Sequence, residues 1–127
     1  MKDHTVSALS PLDGRYAAKL ASLSPLMSEQ GFMHRRVQVE VTWLLALSDS
    51  GLPEFPPFST AARVFFRQLV ANFSADDALA IKQIEKTTNH DVKAVEYWLK
   101  AQCQRADLSE SLRQELAPTL EFIHFAC

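Results

Sequence analysis

The chain has 127 residues, enough for one domain with a buried core; 47% are hydrophobic and 22% charged, an ordinary soluble globular balance. A formal net charge of -2 gives no basis for nonspecific nucleic-acid binding or attraction to anionic membranes, and no apolar run approaches a membrane span. Two cysteines, Cys103 and Cys127, supply neither a disulfide framework nor metal-ligand spacing, and three glycines, at 14, 31 and 51, exclude a glycine-rich nucleotide loop and argue against a turn-rich β fold.

The first ten residues lack the apolar core of a signal peptide, so a cytoplasmic protein with reduced thiols is expected. Residues 1–9 read as a loose lead-in. Ser10 to Tyr16, SPLDGRY, is turn chemistry, with Gly14 free to take positive φ. Arg15 and Tyr16 follow at once. Arginine offers a planar fork for phosphate or carboxylate, and tyrosine a hydroxyl and a stacking face. An exposed turn with a solvated arginine is the simpler alternative.

Ala17 to Leu23 predicts a short helical piece ended by Ser24-Pro25. From Leu26 to Ser50 two periods compete. Met33, Val37, Val41, Leu44, Leu45 and Ser48 fit one helical face, whereas Val37 to Trp43 also alternates as a strand would. Length favours a helix, with Gly51 as its stop and Pro53 behind it. His34, Arg35 and Arg36 then read as a solvated basic face. Leu52 to Phe58 is a proline-held connector, with Phe55 and Phe58 tucked onto the body. Ser59 or Thr60 caps a helix whose buried stripe is Ala62, Phe66, Leu69, Val70 and Phe73. Ser74-Ala75-Asp76-Asp77 is a capping-box variant opening the next helix, with Ala78, Ile81 and Ile84 inward.

That helix runs into Lys86 to Tyr97, KTTNHDVKAVEY, the densest run of polar and ionisable side chains. Asp91 stands at an N-cap position, before a face of Val92, Val95, Leu99 and Cys103. Asn89, His90 and Asp91 then sit at the positive end of a helix dipole, where free N–H groups favour anions. A neutral histidine beside a carboxylate there could serve acid/base work or orient a phosphate; a capped helix with a surface histidine is the alternative. Glu96 and Lys100 form an i,i+4 pair. A linker and a short polar helix from about Ser109 lead to TLEFIHFAC, an apolar run without cap or polar tail. We therefore expect the 127 residues to be the front of a longer polypeptide.

SPLDGRY, FMHRRVQVEVTWL, IEKTTNHDVKAVEYWLK and EFIHFAC, in this order and spacing, resemble the N-terminal part of the bacterial adenylosuccinate lyases, of the fumarase/aspartase superfamily. The resemblance covers essentially the whole chain and is tightest at Ser10 to Tyr16 and Lys86 to Tyr97. It implies an all-α fold: residues 1–112 as the N-terminal helical domain and 113–127 as the start of a central helical bundle, cut short. It implies β-elimination of fumarate from adenylosuccinate, giving AMP, and from the succinyl-carboxamide ribotide of the same pathway. It implies no cofactor or metal and a homotetramer in which several subunits build each active site. Arg15 and Tyr16 match nucleotide contacts beside the phosphate. Asn89, His90 and Asp91 match further substrate contacts, with His90 the family's first active-site histidine. A Thr-Ser pair, a second histidine and a serine-bearing loop of the family are not in these residues, which implies an inactive chain on its own. A non-catalytic helical interaction module of lyase ancestry is the competing expectation.

Overall fold

The structure is a computed structural model and describes residues 5–124. Cys127 and most of the HFAC segment lie outside the described residues. All regular structure among the described residues is helical, with no strand. The chain divides into two compact units, Met1–Phe32 and Met33–Cys127.

In the first unit, the SPLDGRY turn is closed by its own side chains. Asp13 Oδ1 accepts the Ser10 N–H at 2.9 Å, Ser10 Oγ accepts the Leu12 N–H at 3.0 Å, and the Pro11 carbonyl accepts the Tyr16 N–H at 3.0 Å. Gly14 is required for a reason other than the expected one. It has no positive φ; instead a Cβ there would lie 2.7 Å from the Thr5 carbonyl oxygen. The backbone passes too close for a side chain. Ala17–Leu23 is a 3-10 stretch. It ends before Ser24-Pro25 as expected, and those residues open α1, Ser24–Met27, with proline in the first turn, where its missing N–H is harmless.

The longest element, α2 (Glu29–Asp49), contains the segment whose alternation suggested a strand. Val37, Val41 and Leu44 are buried on one face, while Val39 and Trp43 stay 47% and 42% exposed. That is the helical partition; a strand would have put all four alternating residues on one side. Fully burying each valine or leucine is worth about 1.5–3 kcal/mol. Gly51, at φ 76, ends the helix as expected.

Phe55 and Phe58 of the connector are buried, stacked edge-on at 5.2 Å. Ser59 caps α3 (Thr60–Ala71) by accepting the Ala62 N–H at 3.2 Å. Glu115 in turn receives the Ser59 N–H at 2.8 Å, tying α6 (Glu110–Leu116) to the start of α3. Phe65 joins the expected stripe of α3 in the core, while Val70 and Phe73 pack at its edge. The capping box of α4 (Ala75–Thr88) forms as read, Ser74 and Asp77 exchanging both bonds. α4 packs along α5 (Asp91–Cys103), whose inner face buries Ala94, Val95, Trp98, Leu99 and Cys103. A second 3-10 stretch, Ala117–Phe122, also lies against α5 and brings buried Thr119 and Ile123 to the core. Among the described residues no helix is long and apolar enough to cross a membrane.

Candidate functional site

The corner between α4 and α5 is built by two residues with different tasks. Asn89 takes the left-handed conformation, φ 49 and ψ 30, and its N–H bonds the Glu85 carbonyl at 2.8 Å. It is the one non-glycine residue with positive φ among those described; asparagine tolerates that conformation better than most residues. The chain then turns extended at His90, φ -147, and α5 begins.

The cap of α5 is His90, not Asp91. His90 Nδ1 accepts the Lys93 N–H at 3.1 Å, which leaves that nitrogen without a proton. Asp91 is the first residue of the helix, and its Oδ1 accepts the Val92 N–H at 2.9 Å. Two of the N–H groups expected to be free for an anion are thus taken by the site's own side chains. An anionic ligand at this corner would have to be met by side chains rather than by open backbone. Thr88 Oγ1 fixes the turn from behind, donating to the His90 carbonyl at 3.1 Å and accepting the His90 N–H at 3.3 Å.

Asp91 has a partner the sequence did not suggest. Arg36, from α2, places Nη1 at 2.7 Å from Asp91 Oδ2. The hydrogen bond from Arg36 holds the Asp91 carboxyl below the usual carboxylate range, aided by the guanidinium charge and the Val92 N–H and opposed by desolvation. The supposed solvated face of α2 is therefore partly structural. His34 also leaves solvent: its Nε2–H donates to the Val70 carbonyl at 2.7 Å, and its ring stacks on Phe73 at 5.2 Å.

Arg15 and Tyr16 belong to the Met1–Phe32 unit, and Asn89, His90 and Asp91 to the Met33–Cys127 unit. Arg15 and Tyr16 are exposed, with the guanidinium 4.7 Å from the Tyr16 ring centroid and Lys19 Nζ at 5.7 Å. Arg15 also lines a surface cavity of about 280 Å³ together with Thr5, Ser10 and Pro11. Two cations beside a phenol ring, one of them at the cavity, suit an anion with a planar group. Among the described residues no cluster of three or more His, Cys, Asp or Glu is placed to hold a metal ion.

Sequence reading missed the surroundings of Glu96. The expected Glu96–Lys100 pair is replaced by a buried carboxylate facing Lys93 and His124. Only the EFIHFAC wording hinted at His124; nothing local in the sequence marked Glu96 as buried.

No family model matches the chain. Its sequence is 52% identical over 128 residues to the adenylosuccinate lyase of Haemophilus influenzae, covering 100% of this chain and 26% of that protein. It is 45% identical over 128 residues to that of Escherichia coli K12, again covering 100% of this chain and 26% of the relative. It is 44% identical over 124 residues to that of Legionella pneumophila strain Corby, 96% of this chain and 25% of the relative. The chain spans about a quarter of the length of the curated relatives it matches. With helices as the only regular structure among its described residues, the chain is similar along its whole length, TTNHD corner and SPLDGRY turn included, to one quarter of an adenylosuccinate lyase.

Proposed function

We propose that these residues are the leading part of an adenylosuccinate lyase, the helical N-terminal domain (1–112) and the first residues of the central bundle (113–127). The whole enzyme would eliminate fumarate from adenylosuccinate to give AMP, and from succinyl-aminoimidazole-carboxamide ribotide, in cytoplasmic purine nucleotide synthesis. Such a β-elimination needs a base at the carbon acid, an acid at the leaving nitrogen and donors for the carboxylate that stabilises the carbanion. It calls for no cofactor. Arg15 and Tyr16 hold the nucleotide phosphate. Asn89, His90 and Asp91 contact substrate, with His90 orienting it and assisting proton transfer.

The observation that carries this reading is the α4–α5 corner. A left-handed Asn89 sets the turn and the cap bond holds the His90 ring, while Arg36 keeps Asp91 ionised beside them. Residues held this rigidly lose little entropy on binding. The active site is completed by further chain and by neighbouring copies in a homotetramer. The exposed Val39 and Trp43 on α2 favour association, since apolar surface of this kind seeks a partner.

The test is a titration of the 127-residue chain with AMP, followed by amide NMR, alongside ultraviolet detection of fumarate release from adenylosuccinate. Shifts are expected at residues 15–16 and 89–91, with no turnover by the chain alone. Shifts confined to other residues would overturn the site, and turnover at enzymatic rates would overturn the placement of further catalytic groups outside the chain. Complete absence of AMP binding would favour a non-catalytic interaction module.

A further inference from the structure

Glu96 lies on α5, 2% exposed, with neither carboxylate oxygen receiving a hydrogen bond in the described structure. An ionised carboxylate survives such burial only beside compensating charge or polar hydrogen. Two groups face Oε2: Lys93 Nζ at 3.6 Å, from the same helix, and His124 Nδ1 at 3.4 Å, from the segment following the second 3-10 stretch. On the other side of the imidazole, Lys100 Nζ stands 3.4 Å from His124 Nε2. His124 itself is 48% exposed and so covers the carboxylate from the solvent side.

The two edges of the ring give the same answer about its proton. An ammonium has only donors to offer, so Lys100 is compatible with Nε2 as an acceptor. A carboxylate has only acceptors, so Glu96, 3.4 Å from Nδ1 without a formed hydrogen bond, favours a proton on Nδ1 by its charge. Neutral histidine in water prefers the other tautomer, with the proton on Nε2. Lys93 and Lys100 also both lie over the Tyr97 ring, at 5.9 and 5.8 Å from its centroid, which keeps their ammonium groups on this side of α5. On α4, the helix packed along α5, Lys82 pairs with Glu85 at 2.9 Å, Lys86 bonds Gln83 at 3.1 Å, and Asp77 accepts the Ser74 N–H at 2.8 Å. Asp91 is engaged by Arg36.

We propose that Glu96 is a positioning residue that acts through His124. From within the core it selects the Nδ1–H tautomer, turns Nε2 outward beside Lys100, and ties His124 to α5. The outcome is a second imidazole of defined polarity, held against the helix that His90 caps. The proposal does not depend on which ligand the corner between α4 and α5 takes, and its failure would leave the lyase reading intact.

Long-range nitrogen–proton NMR of the imidazole rings reads the tautomer directly in the 127-residue chain at a pH where His124 is neutral. The unaltered chain is expected to show His124 mainly as Nδ1–H. Glu96→Leu, close in size and without an acceptor, should return it to mainly Nε2–H, and amide exchange at Ile123 and His124 should quicken several-fold. Lys100→Met should leave Nδ1–H in the majority. A His124 that is mainly Nε2–H in the unaltered chain overturns the proposal. So does an unchanged tautomer in folded Glu96→Leu, or a reversal caused by Lys100→Met alone. Should Glu96→Leu fail to fold, Glu96→Met reads the same ratio with the same two outcomes, and the unaltered chain requires no variant.

Discussion

Arg36 and Asp91, 55 positions apart, meet at 2.7 Å, so that α2 holds the first residue of α5 through a charge-assisted hydrogen bond. Both side chains are partly exposed, at 34% and 51%, which limits the pair to about 0.2–1 kcal/mol of stability. The sign follows from the lowered Asp91 pKa. A carboxylate whose folded pKa lies below its unfolded one stabilises the fold above the ordinary value of about 3.9, and that contribution is lost as pH falls through the folded pKa. Arg36→Met, which keeps most of the stem, should lower the urea midpoint at pH 7 and cost almost nothing near pH 2. An equal loss at both pH values would mean that Arg36 acts by packing rather than by charge.

His90 has a structural task and a proposed chemical one, and a single substitution separates them. Asparagine is among the best helix caps, so His90→Asn should keep the Lys93 N–H satisfied and leave thermal stability nearly unchanged. His90→Ala should cost about 1 kcal/mol by orphaning that N–H. Both should weaken AMP binding alike. Loss of stability in His90→Asn equal to that in His90→Ala would contradict the cap assignment.

Burial pushes the Cys103 thiol up to about 12, so almost no thiolate exists at pH 8. In a Cys127→Ser chain, Cys103 should resist a disulfide exchange reagent while the protein is folded and react fully in denaturant. Rapid stoichiometric labelling of the folded chain would show that α5 does not bury its inner face as described.

Helix faces were legible in the sequence wherever one period ran long enough. In α2 the apolar residues continue past Trp43 to Leu44 and Ser48, and that continuation resolved the strand-like alternation of Val37 to Trp43. Caps were legible for Ser59 and Ser74, because serine and its partner lie within one turn. The cap of α5 was read one residue late, since histidine seldom caps and Asp91 beside it often does. Long-range pairs left no local trace. Neither Arg36 with Asp91 nor Glu96 with His124 can be inferred without knowing which helices touch. The i,i+4 rule pointed instead to Lys100, a neighbour of Glu96 along the chain but not its ion-pair partner in space. For the candidate site, the wording of SPLDGRY and TTNHD named the residues, while the geometry supplied how they are held.

The central claim is that this chain supplies the phosphate contacts and first histidine of an adenylosuccinate lyase. The direct measurement is fumarate release by a chimaera in which these 127 residues replace the matching quarter of the Haemophilus influenzae enzyme. The account predicts turnover within about tenfold of the parent, falling by about a hundredfold or more in the His90→Asn chimaera, as removal of a group assisting proton transfer should. A folded chimaera without activity, or one in which His90→Asn works as well as the unaltered chain, would contradict it.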